Sequence, residues 1–277
     1  MKNKKKTDVL SAQELYLKTH RRHHHSITCM RLILLLSFLT VWELCADFHI
    51  IDSFFFSSPS MVLSCFVSML ADHSLFLHIG VTLFETIISF LLVILIGILS
   101  ATLLWCSKGL SEILEPYLVV LNSLPKSALA PLFIVWLGTG TDTIIVAGIS
   151  VALFGCIISL YTGFQQVDSD KLKLIYTLGG TRKDAFCKVV FPNSIPIILS
   201  TMKVNIGLAL VGVIIGEFLA ARRGLGYLII YGSQVFKMDW VMMSIVLLCL
   251  IAMGLYQALA LLEKKQWERW NNERNFR

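Results

Sequence analysis

The sequence predicts an all-α, polytopic membrane protein of about six transmembrane helices, with one basic helix-glycine-helix insert on the cytoplasmic side. Three observations predict it. Hydrophobic residues make up 56% of the chain and charged residues only 15%, with a mean hydropathy of +0.74, whereas about a quarter of a soluble domain is charged. Apolar runs recur at the length of about 20 residues that a helix needs to cross a bilayer core of about 30 Å. Lys and Arg also fall in alternate loops, as they do when basic loops stay in the cytoplasm.

The elements follow in chain order. Residues 1–30 form a basic tail with Lys2, Lys4, Lys5, Lys6, Lys18, Arg21 and Arg22, placing the N-terminus inside. The first span, Leu32 to Ala46, is short and is extended by Arg31 and Cys29. It reads as a retained anchor: the basic cluster stands far from the apolar run, and no small-residue cleavage site follows Ala46. The loop from Asp47 to His78 has neither Lys nor Arg and lies outside. Further spans run over Ile79 to Cys106, Ile113 to Leu137, Thr143 to Phe164, Ile195 to Ala221 and Trp240 to Leu262, so that the transmembrane domain occupies 31–264. Lys108, the stretch 168–194 and the tail 265–277 fall inside; only Arg222, Arg223 and Lys237 run against the trend.

Several function classes are excluded. The formal charge of +6 is dispersed between apolar runs rather than gathered on a face, so nucleic acid is not a partner. The seven cysteines form no CxxC, and His23, His24 and His25 have no spaced carboxylate or cysteine partner, which argues against a metal. No G-x-x-x-x-G-K-[ST], H-E-x-x-H or G-x-S-x-G occurs, so no phosphate cradle or hydrolytic centre lies in the chain.

The stretch 168–194 has its own punctuation. Asp168 or Ser169 caps a first short helix bearing Lys173, Leu174, Ile175 and Leu178, and Gly179 or Gly180 ends it. Thr181 opens a second, with Asp184 in the capping-box position. Ala185, Phe186 and Val189 make its apolar stripe, and Pro192 and Pro196 mark its exit into the fifth span. The result is a pair of short amphipathic helices joined at a glycine hinge.

This loop resembles the EAA loop of ATP-binding cassette (ABC) importer permeases: E-A-A, three residues, G, nine residues, then I-x-L-P. Gly179, the nine residues after it, and Val189, Val190, Phe191 and Pro192 fit; the E-A-A positions read Lys173, Leu174 and Ile175, a departure from the pattern. "LPKSALAPLFIVWLGTG" (Leu124 to Gly140) and "GVIIGEFLAARRGLGYLI" (Gly212 to Ile229) are similar to stretches of the permeases of sulfonate, taurine and nitrate importers. The resemblance implies a membrane-spanning permease subunit in the bacterial plasma membrane, itself without a cofactor. Its implied partners are cytoplasmic ATPase subunits holding ATP and Mg, an extracytoplasmic solute-binding protein, and a second copy of the chain.

Ionisable groups inside a bilayer are costly and so are candidates for function. Glu85, Lys126, Lys203 and Glu217 are four such groups. Of these, Lys126 and Glu217, with Asn122 and Ser123 ahead of the helix-breaking Pro125, are candidates for a translocation path; Lys203 also suits snorkelling to the inner headgroups. A rival reading, an ion-coupled secondary transporter or channel, would use Glu85 and Glu217 as coupling groups. The small-residue pairs Gly97 with Ala101 and Gly212 with Gly216 suit close helix packing.

Overall fold

The computed structural model describes residues 12–275, so that Lys2, Lys4, Lys5 and Lys6 lie outside the described residues. All regular structure among the described residues is helical. The chain divides into two units, one ending at Leu63 and one beginning at Ser64.

The first unit holds α1 (Ala12–Asp47), α2 (Ser53–Phe56) and the opening of α3 (Pro59–Ala71). The expected first span lies within α1, whose apolar part is Cys29–Asp47. Asp52 caps α2 by accepting the Phe54 N–H at 2.9 Å, and Glu43 accepts the Ser60 N–H at 3.0 Å. The loop expected between the first two spans is therefore partly helical. At 13 residues α3 is too short to cross a bilayer.

The second unit continues with α4 (Ser74–Cys106), α5 (Lys108–Ser123), α6 (Lys126–Leu137), α7 (Thr141–Gln165), α8 (Ser169–Thr177) and α9 (Arg182–Ala185). A π-turn (Phe186–Val190) leads into α10 (Phe191–Ala220), followed by α11 (Leu225–Gln234) and α12 (Met238–Asn275). Among the described residues five helices are long and apolar enough to span, and six spans result when α5 and α6 are taken as one broken element.

Lipid tails are as apolar as leucine, so spans associate by close packing rather than by hydrophobic sorting, and small residues mark the crossings. The central α7 packs along both α4 and α10. A Cβ on Gly212 would stand 2.7 Å from the Cα of Gly148, and one on Gly216 would stand 2.9 Å from the Cα of Ile144. At the α4 crossing a Cβ on Gly97 would stand 2.8 Å from Cys156 Sγ. Val93, Ala101, Ala152, Leu160 and Phe164 fill the core around these contacts.

Two expectations are revised. Ile113 to Leu137 is not one straight helix: it turns through 95° between α5 and α6, because Pro125 disfavours helical geometry in the residue before it, and Leu124 is extended (φ −62°, ψ 140°). Pro192 and Pro196 likewise do not separate a short helix from the fifth span. Arg182–Ala220 runs on as one 39-residue helical segment. Pro192 falls in the first turn of α10, where a missing N–H is tolerated, and the preceding π-turn has already shifted the hydrogen-bond register.

Candidate functional site

The insert is built from caps. The Asp168 carboxylate accepts the Asp170 N–H at 2.9 Å and starts α8. At its end the Gly179 N–H donates to Tyr176 O at 3.0 Å and the Gly180 N–H to Ile175 O at 2.9 Å, the paired bonds of a Schellman turn. Gly179 takes φ +80° there, and a Cβ on Gly180 would stand 2.8 Å from Ile175 O. Both glycines of the motif are therefore required, and the joint is a fixed turn rather than a hinge. Thr181 and Asp184 form the reciprocal box: Asp184 N–H to Thr181 Oγ1 at 3.3 Å, and Thr181 N–H to Asp184 Oδ2 at 3.0 Å.

This turn is wired to the bundle. Phe186 packs on Trp105 of α4, Phe164 of α7 and Phe191 of α10, with ring centroids 5.5, 5.6 and 6.0 Å apart. The Arg182 guanidinium lies over the Trp105 ring and donates to the Trp105 carbonyl at 2.9 Å. Ala185 and Val190 are fully buried, and Val189 is half-buried. On the opposite side, Leu174 is 60% and Leu178 76% exposed. One turn apart, on α8 and at its C-cap, they leave an apolar face standing in the open next to the exposed Lys171 and Lys173, with Ile175 half-buried.

At the bend, Asn122 and Ser123 are exposed on the last turn of α5. Lys126 folds back so that its Nζ donates to Leu121 O at 2.9 Å and to Asn122 O, satisfying carbonyls that the end of α5 leaves without helical partners. Lys203 donates to Glu263 of α12 at 2.6 Å; this ion pair fixes one span against another.

At the end of α10 far from the insert, Glu217 is fully buried. Its carboxylate accepts the Gly226 N–H at 2.5 Å and the Thr82 hydroxyl at 2.6 Å. Thr82 Oγ1 in turn accepts the Leu225 N–H at 2.8 Å, and His78 Nδ1 accepts the Gly224 N–H at 3.0 Å. The open N-terminus of α11, whose first N–H groups have no helical partner, is thus capped by side chains from α4 and α10. The glycines make room: Gly224 takes φ +113°, and a Cβ on Gly226 would stand 2.7 Å from Glu217 Oε2. The Glu85 carboxyl sits beside that of Glu217, and its Oε2 has no hydrogen-bond partner. Glu217, a candidate for the path in the sequence, is thereby enclosed and occupied with holding α11.

The sequence reading missed Thr82, His78, Trp105 and Glu263 as partners. His78, Thr82, Glu85 and Ser89 follow helical spacing on one face of α4, a polar stripe that marks a buried network within an apolar span. Trp105 and Glu263 have no local signal, because their partners lie far along the chain.

A multi-pass helical bundle with a capped knob anchored in its spans is the architecture of a membrane transport component. The chain belongs to the family of binding-protein-dependent transport system inner membrane components, whose model matches residues 93–263, more than half of its length. It is 30% identical to a probable ABC transporter permease protein of Haemophilus influenzae over 79% of this chain and 88% of that one. It is 28% identical to the formylaminopyrimidine transport permease ThiX of Halalkalibacterium halodurans, over 69% of this chain and 76% of that one. Other relatives bear the names of aliphatic sulfonate, taurine, riboflavin and nitrate permeases. In fold it matches the inward-facing MetNI methionine ABC transporter, with a TM-score of 0.59 at 16% identity, over 68% of this chain and 94% of that one. The chain is therefore the permease subunit of an ABC importer and a multi-pass membrane protein.

Proposed function

We propose that two copies of this chain enclose a path for a small solute, an anion of the sulfonate, taurine or nitrate type or a similar compound. An extracytoplasmic binding protein delivers it, and cytoplasmic ATPase subunits holding ATP and Mg drive the cycle. Both termini and the 168–194 insert face the cytoplasm. Leu174, Leu178 and the flanking lysines seat in the ATPase, and closure of the ATPase pair on ATP swings the insert and the spans as a rigid body. Asn122, Ser123 and Lys126 line the path at the bend.

The observation that carries this reading is the insert itself: an apolar face left open on a turn whose other side is anchored in the bundle through Phe186 and Arg182. Of the two carboxylates that the rival ion-coupled reading would use, Glu217 is occupied by α11, which leaves that reading with Glu85 alone.

The test is reconstitution. Uptake into liposomes should require the ATPase partner and ATP, and uptake by the lone chain on a proton or sodium gradient would overturn the proposal. Leu174→Glu with Leu178→Glu should weaken ATPase co-purification by about a hundredfold, the weight of two apolar anchors at about 1.5 kcal/mol each, with folding unchanged because both side chains are exposed.

A further inference from the structure

The chain that leaves α1 carries a cluster of large apolar side chains that the fold leaves open. Phe48 is 71% and Ile50 72% exposed, and Phe54, Phe55 and Phe56, the body of α2, are each more than half exposed. The Phe54 and Phe55 rings meet edge to face, with centroids 5.1 Å apart. In water such a cluster invites aggregation, and on a folded chain it marks a surface that meets something apolar. Its place in the chain identifies the occupant. The loop starts at Asp47, where the apolar stretch Cys29–Asp47 ends. It also returns to that level, since the Ser60 N–H donates at 3.0 Å to Glu43, one turn inside the same end of α1. The cluster is therefore held at the edge of the bilayer.

The backbone of this loop is closed on itself. The N–H groups of residues 48–51 donate to the carbonyls of Leu44, Cys45 and Ala46 at the end of α1. That of Phe54 donates to the Asp52 carboxylate, and those of residues 55–57 donate to the carbonyls of Asp52 and Ser53. Lipid tails offer a bare N–H no partner, so a segment whose donors are already paired enters them at the least cost. From Glu43 to Ser60 the charged residues are the three carboxylates Glu43, Asp47 and Asp52, with no Lys or Arg, so attraction to acidic headgroups plays no part. We infer that residues 48–56 form an interfacial wedge: Phe48, Ile50 and the phenylalanines of α2 enter the boundary between headgroups and acyl chains and anchor the end of α1 there. The partner is the acyl region of a phospholipid, held by burial of apolar surface rather than by charge. The inference stands on the chain being a membrane protein and is independent of the importer reading.

The experiment uses the full chain in phosphatidylcholine liposomes that include a small share of phosphatidylcholine bearing a diazirine near the glycerol end of one acyl chain. Light expels dinitrogen, the carbene left behind inserts into a neighbouring C–H bond, and mass spectrometry reads which residues have gained the lipid. Residues 48–56 should be labelled as readily as Leu32 to Leu44 of α1, and no more so when phosphatidylglycerol is added. Phe54→Asn with Phe55→Asn and Phe56→Asn should lower the partition of the loop into lipid by about a thousandfold, the weight of three large apolar side chains. Its labelling should then be lost while that of α1 persists, which reports that the variant is still inserted. Unlabelled residues 48–56 beside a labelled α1 in the unsubstituted protein would overturn the inference and give the cluster to a protein partner instead. Labelling that requires phosphatidylglycerol, or that survives the triple substitution, would overturn it as well.

Discussion

Glu217 shows why a carboxylate is kept in an oily helix. Removing its water is costly, and three groups that would otherwise be orphans, the Gly226 N–H, the Thr82 hydroxyl and, through it, the Leu225 N–H, offset that cost. Glu217→Ala leaves those donors bare, and thermal unfolding in detergent should show a loss of about 2–4 kcal/mol. Glu217→Gln keeps an acceptor and should lose about 1 kcal/mol. Glu85→Gln should be neutral, since the amide keeps a hydrogen donor beside the Glu217 carboxylate; a loss as large as that of Glu217→Ala would contradict this division of labour. Gly179 poses a backbone question instead. At φ +80° with open space around it, Gly179→Ala should cost about 1 kcal/mol from conformation alone, measured as a shift in the same unfolding curve.

At the scale of elements, what sequence can reveal depends on how local the cause is. The caps of α8 and α9 were legible, because Asp168, Gly179, Thr181 and Asp184 act on backbone within a few residues of themselves. The spans were legible from length and apolarity; the 95° turn inside Ile113 to Leu137 was not, although Pro125 marks its place. The continuity of α9 into α10 was not legible either, since two prolines read as breaks, whereas Pro192 falls in the first turn after the π-turn and Pro196 is carried inside α10. Nor was the task of Glu217: the partners that explain it are on α4, 135 residues away, and at the start of α11. In the "GLG" of residues 224–226, the second glycine clears space for a carboxylate that lies outside its own segment. The exposed face of α8 follows the same logic in reverse. Thr181→Ala should cost about 1 kcal/mol of stability through the lost cap, while changes at Leu178 should be silent in unfolding and visible only in ATPase binding.

For the molecule as a whole, two fixed constructions stand at opposite ends of α10, separated by its length of about 45 Å. One holds the insert against α4 and α7 through Phe186 and Arg182; the other holds α11 through Glu217. Between them, the glycine crossing of α7 and α10 leaves no slack, because a Cβ on Gly212 already meets backbone. The insert, the glycine crossing and the α11 cap are thus joined through one helix. If that path transmits force, weakening the aromatic anchor should separate ATP turnover from transport. Phe186→Ala removes contacts with Trp105, Phe164 and Phe191, at a cost of about 3 kcal/mol in stability. It leaves Leu174 and Leu178 available to the ATPase. In proteoliposomes holding the complete importer, the variant should still bind ATPase and hydrolyse ATP, with uptake per ATP reduced about tenfold or more. Uptake and hydrolysis falling in parallel would mean that the anchor serves assembly alone, and that force reaches the spans by another route.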